Sequence, residues 1–318
     1  MAFIERSKPI HIGTEVTEDM INPENLKLLK KHIRDMQMRE LSDKSVYSYE
    51  CDLKAWFRYI YKEQFNQSVK DLTEDDIEEM IFYCKEQGNN TERIKRRMAS
   101  ISAFYKFLRR KKEIVENPCE FIPRPKKGLP VVVQTFLTKD QYEDIKIKLE
   151  EFGDLQLKTY VMLSLSTMAR VNAVSNIAWE QIDFENRTVD DVLEKEGKIV
   201  TLFFSEEVKN LLIQLKEDRE KEGIDNPYVF ITKYGGVYKK AETGALGDWT
   251  KRIGTAVGVP TLHPHDWRHS GSQLLSLSGC PIETISSLLN HSGLDVTKNH
   301  YLRQDKTKMQ QEKDKYSL

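Results

Sequence analysis

The sequence predicts a mainly α-helical protein of two domains, with a small antiparallel β-sheet in the C-terminal domain. Its 318 residues suffice for two domains of ordinary size. Apolar residues recur at helical steps of three and four in the N-terminal third, whereas two strand-like runs occur only later. Between these parts, residues 117–130 hold four of the ten prolines. Proline restricts its own φ and the residue before it, so this segment is predicted to be an extended linker.

The composition excludes several classes of protein. Hydrophobic residues make up 39% of the chain and charged residues 31%, which is too apolar for a disordered chain. No apolar run approaches the roughly 18 residues of a membrane span, and the first residues lack the apolar core of a signal peptide. The four cysteines lie far apart and form no C-x-x-C pair. We therefore predict a cytoplasmic protein with no membrane partner.

The N-terminal domain is predicted to be helical throughout residues 23–116, after an extension of uncertain structure at 1–22. One helix is expected near residues 25–38, and a second from Ser42. A third begins at Thr73, because Thr73 and Asp76 are spaced as a capping box, and it stops near Gly88. A fourth begins at Thr91.

The C-terminal domain, residues 131–318, is predicted to be α+β. Thr138 and Gln141 form a full capping box, and an apolar helix follows around 157–166. Two strand-like runs, 187–193 and 198–204, are joined by residues 194–197, which suit a hairpin turn. A helix over 206–222, a short strand over 228–232 and a mostly helical remainder complete the domain.

Charge is distributed unevenly, although the formal net charge is only −1. Between Asn89 and Lys112 there are nine basic residues against Glu92 alone. On an amphipathic helix these cations are expected to lie opposite the apolar stripe, which is typical of a surface that binds phosphates. A solvated helix face is the alternative. The residues predicted to contact DNA are Arg93, Arg96, Arg97, Lys106, Arg109 and Arg110, with Lys126 and Lys127 from the linker.

Five of the seven histidines fall in the last 56 residues. His265 and His269 are spaced as helical zinc ligands, but no H-E-x-x-H motif is present and Arg268 would place a cation beside the metal. No serine lies in a G-x-S-x-G turn, which argues against a serine hydrolase. The sequence therefore predicts neither a metal nor a cofactor.

Arginines and histidines near a tyrosine are instead what metal-free phosphoryl transfer needs. Guanidinium groups neutralise charge on the non-bridging oxygens of a phosphate. A tyrosine hydroxyl is a weak nucleophile unless a base and nearby cations favour loss of its proton. Residues 265–269 are predicted to open a helix, His291 follows in Leu-Asn-His-Ser, and Tyr301 comes ten residues later.

In this order and spacing the chain resembles the tyrosine site-specific recombinases, which include phage and transposon integrases and Xer-type resolvases. Residues 262–270, 288–293 and Tyr301 look like the second motif box of that family. Residues 167–183 look like the first box, and 194–200 like the hairpin that carries the family's lysine. The N-terminal helices resemble the family's SAM-like, core-site-binding domain. The resemblance spans nearly the whole chain after about Asn25.

The resemblance implies a catalytic set of six residues: Arg170, Lys195, His265, Arg268, His291 and Tyr301. Tyr301 would attack the scissile phosphate and form a 3′-phosphotyrosyl link, while Arg170 and Arg268 clamp the non-bridging oxygens. His265 would assist proton movement at the tyrosine, and His291 would support the phosphate. Lys195 would protonate the departing 5′-oxygen, with Lys198 as its substitute.

The resemblance also implies partners. The expected substrate is double-stranded DNA with a specific site of inverted half-sites, bound by a dimer that assembles to a tetramer. Accessory DNA-bending proteins are further partners that the family allows. Too few residues precede Asn25 for an additional arm-binding domain, so the two-domain, Xer-like form is expected.

Three departures from the family pattern keep a second function open. The acidic residue usual three positions after the first arginine is Ala173, so the group that orients Arg170 must lie elsewhere. The glycine usual before the second histidine is Asn290, a residue that tolerates the left-handed conformation. The net charge is also low for a DNA-gripping protein. The alternative is a phage-type transcriptional repressor with the recombinase fold and no strand exchange.

Overall fold

The computed structural model describes residues 12–126, 136–194, 197–290 and 313–314. The chain divides into two compact units, Met1–Val133 and Gln134–Leu318. Each described part is mostly helical and all the described strands are antiparallel, which confirms the predicted fold class. None of the described helices is long and apolar enough to cross a membrane.

The first unit contains four α-helices after a short 3-10 turn at Glu18–Met20. The predicted starts at Ser42, Thr73 and Thr91 are confirmed to within one residue, since Ser42 and Thr73 cap the helices that follow them. The capping box of Thr73 and Asp76 is present in full. The helices are α1 (Pro23–Met38), α2 (Asp43–Glu63), α3 (Glu74–Glu86) and α4 (Thr91–Arg110).

Helices α2 and α4 supply the centre of the first core. Trp56, Phe57 and Phe104 are fully buried and their rings lie within 6.4 Å of one another. Such aromatic contacts add to the free energy gained by burying apolar surface. The described part of the proline-rich segment, residues 117–126, contains no helix.

The second unit combines seven α-helices with two small sheets in its described residues. The predicted capping box at Thr138 is present in full. The helices are α5 (Lys139–Phe152), α6 (Leu155–Thr167), α7 (Val171–Ser175), α8 (Glu206–Lys221), α9 (Thr243–Ala256), α10 (Pro264–Leu277) and α11 (Ile282–Leu288).

The predicted hairpin is confirmed. Strands β1 (Ile182–Asp183), β2 (Thr188–Leu193) and β3 (Ile199–Phe203) form one antiparallel sheet in that order, with a register shift between Val189 and Val192. The short strand predicted over 228–232 is displaced, because Tyr228 makes only an isolated bridge to Ala178. The strand itself is β4 (Ile231–Tyr234), and it pairs with β5 (Val237–Lys240), which the sequence pattern did not reveal.

His32 is a titratable group buried in the first core. It lies on α1 with 2% of its surface exposed, its ring 4.8 Å from that of Phe107. Neither ring nitrogen has a hydrogen-bond partner among the described residues. Burial lowers the pKa of His32 to about 4, and Asp35 offsets part of this effect. His32 is therefore neutral in the folded protein at neutral pH.

We expect His32 to make the protein less stable in mild acid. The unfolded chain takes up a proton near pH 6.5 and the folded chain only near pH 4, so stability is lost as the pH falls between these values. The loss approaches about 1.4 kcal/mol per pH unit. Chemical denaturation of the wild type and His32→Met across this range measures it, with the variant losing less. Parallel curves would contradict the prediction.

Candidate active site and DNA-contacting surface

Arg170 lies at the junction between α6 and α7. Helix α6 ends at Thr167, and its C-cap Met168 adopts the left-handed conformation with φ 53°. Arg170 then has extended backbone angles and forms the N-cap of α7. The left-handed turn at Met168 places Arg170 beyond the end of the apolar helix. The chain reverses here and presents a side chain that is 35% exposed.

The guanidinium of Arg170 forms an ion pair with Glu194 at the end of β2. The Glu194 side chain is only 2% exposed. Ala173, the position where the family carries an acid, is itself buried on α7. The carboxylate that orients Arg170 therefore comes from the β2–β3 hairpin, 24 residues away in the sequence.

Helix α10 carries the second group of candidate residues. Its N-terminus is fixed by a capping box, in which the backbone N–H of His263 donates to Asp266 at 2.9 Å. Trp267 is fully buried and donates to Thr250 on α9 at 3.0 Å, and that hydroxyl also contacts the hydroxyl of Tyr160 on α6. Because Thr250 and Tyr160 are both buried, their contacts with Trp267 fix the rotation of α10 about its axis. That rotation places His265 at the surface and Arg268 inside.

Arg268 is 1% exposed and joins three helices. Its terminal nitrogens donate to the carbonyl of Met168 at 2.7 Å and to that of Leu289 at 2.5 Å. Met168 and Leu289 are the C-caps of α6 and α11. The C-terminal end of a helix carries partial negative charge, so both ends stabilise the buried cation. Arg268 thus ties the first box to the second.

His265 is exposed beside this cluster, with its ring 4.7 Å from that of His269. Desolvation, followed by the positive charges of Arg268, His263 and Arg170, lowers the pKa of His265 to about 4. Because both Arg268 and Arg170 lower the pKa of His265, these three predicted side chains lie in one site. A neutral imidazole at pH 7 has an acceptor nitrogen, as a proton acceptor needs.

The hairpin reaches the segment before His291. Lys198 donates to the backbone carbonyl of Asn290 at 3.1 Å. Asn290 has φ 55°, the left-handed conformation expected where the family has glycine. Three predicted catalytic residues, Lys195, His291 and Tyr301, lie outside the described residues.

Helix α10 approaches α6 closely at Gly271, one turn after Arg268. A Cβ added to Gly271 would lie 2.3 Å from the carbonyl oxygen of Leu165 and 2.9 Å from Met168 Cγ. Only glycine permits this spacing, which sets the distance between Arg268 and the Met168 carbonyl.

Within the residues the structure describes, no group of three or more His, Cys, Asp or Glu side chains could hold a metal ion.

The predicted DNA-contacting residues of the first unit differ in their surroundings. Arg96, Arg109 and Arg110 are exposed but paired, with Asp52, Glu120 and Asp35 respectively. The expectation that every cation of α4 lies opposite the apolar stripe is wrong for Arg97, which is only 5% exposed. Helical periodicity missed this because the position borders the stripe.

Two arginines of α4, Arg93 and Arg97, have buried N–H groups that make no hydrogen bond among the described residues. Nε and Nη1 of Arg97, and Nε of Arg93, are buried and have no hydrogen-bond partner among the described residues. Burial, together with Arg97 and Arg96, lowers the pKa of Arg93. Buried donors without acceptors are costly.

A cavity of about 460 Å³ lies at the end of α4. Four cations line it: Lys106, Arg109, Arg110 and Arg124. Lys106 is exposed. Lys126, two residues after Arg124, is also exposed, and Lys127 lies outside the described residues. The cavity is open enough for a phosphate group and carries net positive charge.

Two family profiles match the chain. That of the phage integrase family matches residues 135–308. That of the phage integrase N-terminal SAM-like domain matches residues 29–112.

Relatives named as tyrosine recombinases match over most of their length. A protein named tyrosine recombinase XerC from Anoxybacillus flavithermus is 24% identical over 277 residues, which cover 82% of this chain and 90% of the relative. A tyrosine recombinase from Pseudothermotoga lettingae is 26% identical over 271 residues, covering 82% and 88%.

Solved structures share the fold. The Tn1549 transposon integrase in complex with circular intermediate DNA has a TM-score of 0.66 at 18% identity, covering 92% of this chain and 99% of that one. A lambda integrase dimer bound to a COC′ core site has a TM-score of 0.66 at 17% identity, covering 85% and 95%.

We expect Gly271→Ala to lower the free energy of unfolding by about 1–3 kcal/mol, because the added methyl group must push α10 from α6. Gly247→Ala is the matched control. Gly247 lies within α9 and an added Cβ would meet nothing within 4 Å, so this variant should gain about 0.5–1 kcal/mol in helix propensity. Urea denaturation distinguishes them, and equal effects of the same sign would contradict the close approach.

Proposed function

The chain belongs to the phage integrase family, and from this premise we propose that it is a site-specific DNA recombinase that forms a 3′-phosphotyrosyl intermediate at Tyr301. Its relatives are tyrosine recombinases.

The observation that carries the proposal is the convergence of the two motif boxes and the hairpin. Arg268 bonds to the carbonyl two residues before Arg170, and both arginines act on the pKa of His265. Lys198 bonds to the carbonyl immediately before His291. Two separate stretches of the sequence therefore bring the guanidinium groups of Arg170 and Arg268 near one exposed imidazole. This is the charge distribution that a phosphodiester transition state requires.

We assign the phosphate clamp to the two arginines. Arg170 is 35% exposed and can present donors to a non-bridging oxygen while its other side holds Glu194. Arg268 is almost fully buried and adds its positive charge at short range, completing the clamp when DNA closes over the site.

The hydroxyl oxygen of Tyr301 attacks the scissile phosphorus, the bond from phosphorus to the 5′-oxygen breaks, and a 3′-phosphotyrosyl bond forms. His265, neutral because its pKa lies near 4, takes the tyrosine proton. Lys195 gives a proton to the departing 5′-oxygen, and His291 supports the phosphate. Lys198 is the weaker candidate for this donor because its ammonium already holds the Asn290 carbonyl.

We further propose that the helical domain, residues 23–116, and the catalytic domain, residues 131–318, grip the duplex with residues 117–130 as the linker. The basic face of α4 and the cavity beside Lys106 would meet DNA phosphates. Lambda integrase is seen as a tetramer bound to a Holliday junction, and we propose the same assembly for this chain, acting in the cytoplasm on a site with inverted half-sites.

We expect the wild-type protein to form an SDS-resistant adduct with DNA and Tyr301→Phe to form none. The variant removes only the nucleophilic oxygen, so its binding should be unchanged. The assay incubates each protein with a fragment panel from the flanks of its own gene and from the replication-terminus region of the chromosome, without added metal. An adduct on a gene flank identifies a mobile-element integrase, and one on a terminus fragment a chromosomal resolvase.

Tyr316→Phe is the matched control, since it removes a hydroxyl from the other tyrosine of the C-terminal tail. It should form the adduct at the wild-type rate. Specific binding by both wild type and Tyr301→Phe, with no adduct from either, would sink the recombinase and support the repressor.

We expect Lys106→Ala to weaken DNA binding and to flatten its salt dependence. Lys106 lines the cationic cavity and makes no ion pair among the described residues, so its contact with a phosphate would release counterions. The slope of log K against log salt should change by about 0.9 for one lost contact. Lys54→Ala is the control, because Lys54 is already paired with Glu18 and Glu50. Equal slopes for the wild type and both variants would show that Lys106 does not contact a DNA phosphate.

A further inference from the structure

Arg96 differs from the other paired arginines of α4 in the carboxylate that holds it. Its Nη2 donates to Oδ1 of Asp52 on α2 at 2.6 Å. The Asp52 side chain is 5% exposed, against 14% and 46% for the carboxylates that hold Arg110 and Arg109. The Arg96 side chain itself is 51% exposed. Its guanidinium therefore lies at the surface while its anchor lies beneath it in the domain.

Asp52 is fixed from a second side as well. Its Oδ2 accepts from the hydroxyl of Ser100 at 3.0 Å, and Ser100 is buried on α4 one turn after Arg96. Both carboxylate oxygens thus have partners on α4. Removing the cation from a buried carboxylate costs far more than breaking a surface pair. We therefore expect Arg96 to keep Asp52 when DNA binds, rather than to exchange it for a phosphate.

This pairing makes a base a better ligand for Arg96 than a phosphate. The pair of Arg96 and Asp52 has no net charge, and the carboxylate repels a phosphate brought to the guanidinium. A guanidinium has five N–H donors, and Asp52 takes one of them. The outer edge can still donate two hydrogen bonds. In the major groove, O6 and N7 of guanine are uncharged acceptors spaced for such a pair.

The helix face that carries Arg96 has short side chains at its centre. Ala99 and Ala103 lie on this face and are partly exposed, and the exposed Lys106 follows them. An α-helix fits the major groove, and alanines let its backbone approach the base edges. Arg96 can then reach a base while Lys106, at the other end of the alanines, reaches the phosphate backbone.

We propose that Arg96 reads a guanine in the major groove of each half-site, and that Asp52 is the positioning residue that orients it. The other exposed cations of α4 bind phosphates and set the affinity, whereas Arg96 sets part of the sequence preference. This inference rests on the proposed recombinase function and deepens it, because it names one base pair that the target site contains.

Selection of binding sites from a random DNA library by the full-length protein tests the base contact. The wild type should enrich a motif with a fixed G·C pair in each half. Arg96→Lys should enrich the same motif without that preference, because lysine keeps the charge but lacks the planar fork. Arg39→Lys is the matched control, since the exposed Arg39 pairs with Asp35 on the same unit, and it should select the wild-type motif. A G·C preference that survives in Arg96→Lys would overturn the proposal.

Altered sites then identify the atoms that are read. Changing the fixed pair to A·T should weaken wild-type binding by about 5- to 140-fold, the range for one bidentate contact to a base. Replacing its guanine by 7-deazaguanine, which lacks the N7 acceptor, should produce part of this loss. Neither change should weaken binding by Arg96→Lys further. Equal losses in the two proteins would show that another group reads the pair.

Asp52→Asn tests the positioning role. Its amide oxygen can still accept from Arg96, but the pair then carries a positive charge. We expect binding to unrelated DNA to strengthen and its salt slope to steepen by up to about 0.9, while the G·C preference weakens. A purely structural role would weaken both kinds of binding together. A folded variant with the wild-type slope and preference would contradict the role of Asp52.

Thermal unfolding shows whether Asp52→Asn folds. If it does not, Ser100→Ala replaces it, since it removes only the hydrogen bond to Oδ2 of Asp52. The G·C preference should then weaken at an unchanged salt slope, and an unchanged preference overturns the positioning role. Site selection needs no strand cleavage. An enriched motif without an adduct therefore counts against the recombinase alone, whereas a wild type that enriches no motif overturns the guanine contact.

Discussion

The buried guanidinium of Arg268 is the interaction on which the rest of the site depends. It donates to the carbonyls that end α6 and α11, so two helix ends are held together by one cation. Both ends would otherwise present partial negative charge to the interior. Once they are joined, the residues just beyond each end, Arg170 and Asn290, are fixed close together. Gly271 permits this because its missing side chain lets α10 lie against α6.

A net charge of −1 is compatible with a DNA-binding surface because the charges are arranged in pairs. Arg96, Arg109 and Arg110 each meet a carboxylate, and this neutralises the total without removing the cations from the face. DNA phosphates would compete with those carboxylates, which reduces the net gain from each contact. Positive charge is instead concentrated at Arg97, whose Nε and Nη1 have no hydrogen-bond partner among the described residues. It is also concentrated around His265, where desolvation and the charges of Arg268, His263 and Arg170 lower the pKa of the imidazole. Local accumulation of charge, rather than the total, therefore decides where a phosphodiester is favoured.

Much of the fold follows from short-range signals in the sequence. Thr73 and Thr138 predict the starts of their helices because a capping box satisfies backbone donors within four residues. Residues 194–197 likewise predict a hairpin turn between two strand-like runs. The contacts that define the site are long-range and leave no local pattern: Arg170 meets Glu194 across 24 residues and Arg268 meets Met168 across 100. The missing acid at Ala173 was the one sequence signal that an orienting group must lie elsewhere, but it could not say where. The burial of Arg97 and the pairing of β4 with β5 were likewise set by packing rather than by periodicity.

Both local departures from the family pattern have physical compensations, and these bear on whether catalysis was kept. Asn290 adopts the left-handed conformation that glycine would provide, and Glu194 supplies the carboxylate that Ala173 lacks. A protein that only bound DNA would have no need of the buried Glu194 carboxylate beside Arg170, since replacing buried ionic groups with apolar side chains is often neutral or favourable. It would also have no use for an imidazole kept neutral among cations. Retaining these costly charges in one place is explained by a reaction that develops negative charge there, and a repressor has no such reaction.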